Sequence, residues 1–180
     1  LKSFDLKKFI FDLDIKDLNP NNFYELDKVV QISKIKAKIK GEYQENLSLD
    51  AALILNDTFK IDSNIKTKED NIEASIKNSS FQVLFDKKAD LTKIKTNINE
   101  LKNLEKELAK IIELPALGLE GELDLDLQMA SNSLNNLNFK VNSPKIKFEN
   151  EEIQNIQIEG NLKDKTVFLD KLNFNIGEIY

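Results

Sequence analysis

From Leu117 to Met129 an apolar residue returns at every second position (Leu117, Leu119, Leu123, Leu125, Leu127, Met129), with Gly121 in phase and Glu120, Glu122, Asp124 and Asp126 between. A period of two belongs to a strand with one apolar and one acidic face. At about 3.3 Å per residue the run extends roughly 40 Å, longer than an ordinary domain strand.

The same alternation recurs along the chain. Phe9, Phe11, Leu13 and Ile15 alternate with charged residues up to Asn19-Pro20, and Asn21 to Val30 reads as a connector with at most one helical turn. Ile35, Ala37, Ile39, Gly41 and Tyr43 follow, then Leu47, Leu49, Ala51, Leu53 and Leu55, and Asn56-Asp57 closes a hairpin into Phe59, Ile61 and Ile65. Shorter strands are carried by Ile72, Ala74 and Ile76 and by Phe81, Val83 and Phe85. Past the long leucine row, an Asn/Ser turn at Ser131 to Asn136 leads to strands at Phe139 and Val141, at Ile146 and Phe148, and at Ile156, Ile158, Gly160 and Leu162. The last carries Val167 and Leu169, changes phase, and continues with Leu172, Phe174 and Ile176. Short polar turns between successive strands favour an antiparallel meander, since parallel neighbours would each need a crossover.

The period changes once. Ile98, Leu101, Leu104, Leu108 and Ile111 keep helical spacing, which predicts an amphipathic helix over 98–112 with Asn97 as N-cap, Glu100 in the capping-box position and Pro115 as the stop. The chain thus divides into a first strand set (1–96), a helix (97–115) and a second strand set (116–180). Three strands share the pattern apolar, charged, Gly, polar, apolar: Ile39 to Tyr43, Leu119 to Leu123 and Ile158 to Leu162. Mid-strand glycines mark bulges or sharp coiling, so the sheet is expected to bend repeatedly in one sense.

Composition narrows the chemistry. His, Cys, Trp and Arg are all absent, which removes the usual general bases, thiol nucleophiles and most zinc ligands, and no cofactor or metal is expected. The net charge is only -5 and every basic residue is a lysine, so the bidentate forks of specific nucleic-acid recognition are missing and no nucleic-acid partner is expected. The row Glu120, Glu122, Asp124 and Asp126 splays its carboxylates along a strand, unlike the wrapped loops that hold calcium, and reads as a solvated face. The row Lys34, Lys36, Lys38 and Lys40 reads as an outer face that discourages edge-to-edge aggregation, with acidic lipid headgroups as the alternative. Paired carboxylates for glycoside hydrolysis lack the aromatic platform a sugar would need. No apolar run is long enough for a membrane helix, and the start Leu1-Lys2-Ser3 without a signal-peptide pattern suggests a segment of a longer protein.

The apolar rows have two outcomes. In a closed sandwich or barrel they pack on one another; in an open trough they line a channel for acyl chains, at about 0.8 kcal/mol per buried methylene. The binary pattern is the same for both.

Residues Leu104 to Gly177 resemble the repeating unit of the AsmA-like and TamB-like bacterial envelope proteins. The resemblance is carried by the helix end Lys110-Ile111-Ile112-Glu113-Leu114-Pro115-Ala116-Leu117-Gly118, the Leu119-Glu120-Gly121-Glu122-Leu123 strand, the Ser133-Leu134-Asn135-Asn136-Leu137 turn, and Ile158 to Leu162 leading to Leu169 to Gly177. Phe11 to Ile15, Asn19-Pro20 and Ile39-Lys40-Gly41 are similar to the strands that precede a new repeat.

The resemblance implies a mainly β fold, a coiled meander forming a half-barrel or taco-shaped groove with one helix. It also implies a non-enzymatic periplasmic segment of a protein anchored in the inner membrane of a diderm bacterium, moving phospholipid or another acyl-chain ligand between membranes. Expected lining residues are Ile35, Ile39, Leu49, Leu53, Phe59, Ile61, Leu119, Leu123, Leu125, Leu127, Phe139, Ile158 and Phe174. Two alternatives are an assembly factor that binds outer-membrane protein clients along strand edges, and a structural β domain without a ligand.

Overall fold

The computed structural model describes residues 8–22, 30–113, 115, 117–130 and 136–177. They form one antiparallel sheet of twelve strands that does not close into a barrel: β1 (Phe9–Leu18), β2 (Ile35–Gln44), β3 (Asn46–Leu55), β4 (Phe59–Lys68), β5 (Asn71–Lys77), β6 (Phe81–Lys88), β7 (Leu91–Ile98), β8 (Leu119–Gly121), β9 (Leu123–Ala130), β10 (Asn136–Phe148), β11 (Glu151–Lys163) and β12 (Thr166–Ile176). Neighbours in sequence are neighbours in the sheet, as a meander requires. The one interruption is α1 (Leu101–Leu108) between β7 and β9. Strands β8 and β9 share a rung, both pairing with β10, so the sheet has eleven rungs.

Register keeps the alternating rows in line. Phe9, Phe11, Leu13 and Ile15 lie opposite Tyr43, Gly41, Ile39 and Ala37, which in turn face Leu47, Leu49, Ala51 and Leu53. At the other end Met129, Leu127 and Leu125 face Leu137, Phe139 and Val141, which face Leu162, Gly160 and Ile158. The result is one apolar face that crosses all eleven rungs. The opposite face carries complementary charges in cross-strand register, such as Asp12 with Lys40 (3.4 Å) and Lys140 with Glu159 (3.0 Å).

Wherever the apolar spacing slips from two residues to three, the backbone absorbs the extra one in a bulge. In β1 the step from Ile15 to Leu18 falls where the register shifts, and Asp17 has a φ of 55°. In β11 the step from Ile153 to Ile156 is taken up at Asn155, φ 53°, and in β12 the phase change from Leu169 to Leu172 is taken up at Asp170. In β10 the step from Ser143 to Ile146 spans Pro144, which cannot donate to a ladder. Bulges of this kind add twist and coil the sheet without turning an apolar residue to the wrong face.

Two of the repeated glycines have a steric reason. A side chain at Gly41 would begin 2.2 Å from the ring of Phe11, its cross-strand partner, and one at Gly160 would lie 2.8 Å from the ring of Phe139, again the direct partner. Each aromatic ring lies over the glycine opposite. Gly121 is different: its φ of 121° and the Lys145 carbonyl, 2.1 Å from where a Cβ would stand, belong to the bulge beside Pro144.

Several expected elements are corrected. The leucine row is broken at Glu122 into β8 and β9, and Leu117 precedes them in an exposed loop, its N–H donating to Glu105 Oε1 at 2.6 Å. The helix covers 101–108 rather than 98–112. Asn97 and Ile98 still belong to β7, Glu100 is the N-cap, and the helix ends well before Pro115. β7 is not among the expected strands, because its apolar-face row Thr92, Ile94, Thr96, Ile98 contains two threonines, which are strand formers without being apolar. The runs at Phe139 and Phe148 are one thirteen-residue strand. Among the described residues a 3-10 turn, Pro20–Asn22, follows β1; residues 23–29 of the expected connector and most of the Asn/Ser turn lie outside the described residues.

Candidate functional site: the apolar face

All thirteen expected lining residues stand on the apolar face, in line across the rungs. Their surroundings differ. Phe59 is buried at 3% exposure, Phe174 is exposed at 47%, and the other eleven are half-buried. Among the described residues no side chain is completely buried, and no second sheet covers the face. The chain exposes 13100 Å², against roughly 8,900 Å² for a compact monomer of this mass. A closed sandwich is therefore not what these strands build.

One end of the face is covered. Leu55, Phe59 and Ile111 form a packed cluster with Ile32, Ile35, Leu53, Ile61, Phe81, Leu108 and Ile112 around it. Four expected lining residues, Ile35, Leu53, Phe59 and Ile61, thus belong to a small core. The covering pieces are the C-terminal end of α1 and the turn that follows it.

Polar clamps hold this cover down. Glu107 accepts from Asn78 Nδ2 (2.7 Å), Ser79 Oγ (2.6 Å) and Ser80 Oγ (3.0 Å) on the β5–β6 hairpin. Asn56, at the β3–β4 turn, donates to the carbonyls of Gln31 (2.5 Å) and Lys110 (3.0 Å) and accepts from the N–H groups of Ser33 and Lys34. Val30 bridges Ile112, and Gln31 N–H donates to the Ile111 carbonyl at 2.7 Å. Nothing local in the chain marks Asn56 as more than a turn former, since its partners lie 25 and 54 residues away.

Three of the acidic row have partners on neighbouring elements, two on β7 and one on α1. Asp124 accepts from Asn97, Asp126 lies 3.8 Å from Lys95, and Glu120 pairs with Lys102. Lys102 holds the Glu120 carboxyl below its ordinary range. The lysine row behaves alike. Lys34 contacts Asp57 (2.8 Å) and Asp17 (3.1 Å), Lys36 contacts Asp57 (2.5 Å), and these bonds push Lys34 up and Asp57 down. Shallow clefts on this polar face are gaps between such side chains, one lined by Lys93, Lys95, Asp126, Gln128, Asn138 and Lys140. No group of acidic side chains among the described residues is placed to hold a metal ion. No helix among them is long and apolar enough to cross a membrane, which says nothing of crossing by strands.

The arrangement offers a mainly apolar surface, capped at one end, with most strand charges on the other side; Lys87, opposite Ile72 and Thr92, and Glu151, opposite Phe148, are the charged residues that the register places on the apolar side. Comparison with known proteins finds no match among family models, curated proteins or solved structures, so the AsmA-like resemblance rests on the residues that suggested it.

Proposed function

We propose that the apolar face is a groove for the acyl chains of phospholipid, part of a periplasmic, non-enzymatic lipid-conducting protein of the AsmA-like and TamB-like kind. The observation that carries this reading is the uninterrupted apolar row over eleven rungs with a cover at one end only. A face of this size in water invites a partner, and burying each methylene of an acyl chain contributes about 0.8 kcal/mol. The charges of the polar face, paired in register, leave headgroups at the rim in contact with solvent. The edges β1 and β12, which no strand among the described residues pairs, favour a second reading, an assembly factor that adds a client strand.

The test is to purify the chain and measure co-purifying phospholipid by mass spectrometry, then repeat it with Leu123→Asp and Leu125→Asp. Both positions are half-buried under no second sheet. The expected result is bound lipid in the parent chain, lost in both variants while the thermal transition is largely kept. Absence of lipid in the parent, together with unfolding of the variants as if from a packed core, would overturn the reading.

A further inference from the structure

The two edges of the sheet are not equivalent. β1 carries Asp12, Asp14, Lys16 and Asp17 among ten residues, and a row of charges is one way an edge is kept from pairing. β12 carries only Asp170 and Lys171, adjacent and of opposite sign, and all eleven of its residues are exposed. Its own-sheet polar contacts are long: Asp170 to Asn161 at 3.4 Å and Lys171 to Glu159 at 3.9 Å.

Eleven antiparallel rungs make β1 and β12 run in the same direction. A second copy added edge to edge in the same orientation would therefore meet β12 with a parallel β1. A copy turned about a two-fold axis normal to the sheet meets β12 with an antiparallel β12, and both apolar faces stay on one side.

The sequence of β12 fits this second arrangement. With the axis between Asp170 and Lys171, Asp170 of each copy faces Lys171 of the other, Leu169 faces Leu172, and Val167 faces Phe174. The bulge at Asp170 is what permits this, because it places Val167, Leu169, Leu172 and Phe174 on one face despite the three-residue step. We infer that β12 is a self-complementary edge through which two copies of this chain join into one continuous sheet with a shared apolar face. The pairing rests on strand edge and register alone and requires no lipid.

Sedimentation or light scattering across a dilution series tests it. The parent chain is expected to dimerise. Asp170→Lys sets lysine against lysine twice at the axis and is expected to weaken the dimer by at least about ten-fold. The exchange Asp170→Lys with Lys171→Asp restores the complement and the dimer. Both positions are solvent-exposed, so thermal melting should be little changed.

The register has its own readout, because the chain contains no cysteine. Mixed Leu169→Cys and Leu172→Cys chains should form a disulfide-linked pair under mild oxidation, and either alone should not. A parent chain that remains monomeric overturns the inference, as does a dimer indifferent to the charge changes or cross-linked in another register.

Discussion

The capped end of the apolar face and the β12 edge are made from the same residue types and have opposite fates. Around Leu55, Phe59 and Ile111, leucine, isoleucine and phenylalanine are brought to 7% exposure or less. Along β12, Leu169, Leu172, Phe174 and Ile176 stay between 47% and 69% exposed. Alternation alone gives both regions an apolar row. What separates them is a second layer: α1 and the turn after it lie over one end, and none of the described residues lies over the other. The packed cluster of this molecule depends on the one segment that departs from the two-residue period, although Ala37, Ile156, Thr92 and Ser143 are buried within the sheet itself.

The widest gap should appear on truncating an aromatic ring in each region. Phe59→Ala removes the most buried ring of the cluster and should cost about 3–5 kcal/mol. Phe174→Ala should cost no more than about 0.5 kcal/mol, as at an ordinary surface position. Urea unfolding of the two variants checks this. Equal losses would mean that a second layer lies over the face of β12 in solution, beyond any pairing at its edge, and would erase the contrast.

The cover itself can be loosened next. Glu107→Ala takes the acceptor from Asn78, Ser79 and Ser80, of which Ser80 is only 2% exposed, and should cost about 1–3 kcal/mol. Hydrogen exchange should rise in α1 and at Gln31, whose N–H bonds the Ile111 carbonyl, while β10 to β12 keep their protection. Uniform loss across the sheet would show that the cover and the strands unfold as one unit.

Much of this was legible in the sequence. Alternation gave most of the strands, polar turns gave the meander, and even the bulge at Asp170 showed as a change of phase between Leu169 and Leu172. The threonines of β7 hid a strand because the face they occupy tolerates a small β-branched residue as well as a leucine. The helix is shorter than its spacing suggests because Ile98 and Ile111 keep helical spacing while serving a strand and a turn. The clamps at Asn56 and Glu107 had no local signal, since a hydrogen bond across many residues leaves no period in the chain. Whether the face is open was undecidable from pattern, because a trough and a sandwich need the same row.

Turns at the two ends of the strands sharpen the comparison further. Asn56 and Ala89 both sit in hairpins with positive φ, 50° in each case. Glycine relieves that strain, so Ala89→Gly, at the far end from α1, should stabilise the chain by about 0.5–1 kcal/mol. Asn56→Gly relieves the same strain but removes the clamp on Gln31 and Lys110, and should destabilise by about 1 kcal/mol. Opposite signs in thermal melting would show that the asparagine is kept for its side chain; two stabilised variants would show that the cover does not depend on it.

The smallest effect expected is electrostatic. Hydrogen bonds from Lys34 and Lys36 lower the Asp57 carboxyl below its ordinary value, and one from Lys140 does the same for Glu159. A carboxylate whose folded value is depressed contributes stability that is full above its unfolded value and is lost as pH falls through the folded one. Both groups are solvent-exposed, so salt should screen the contribution. Lowering pH from 7 through the carboxylate range should therefore lower Tm, and Asp57→Asn and Glu159→Gln should each flatten that slope slightly. The Asp57 change should also loosen Lys34 beside the Asn56 clamp and raise exchange under α1, whereas the Glu159 change should leave α1 untouched. A Glu159 variant that disturbed the helix would mean that the two ends of the face are coupled through the sheet.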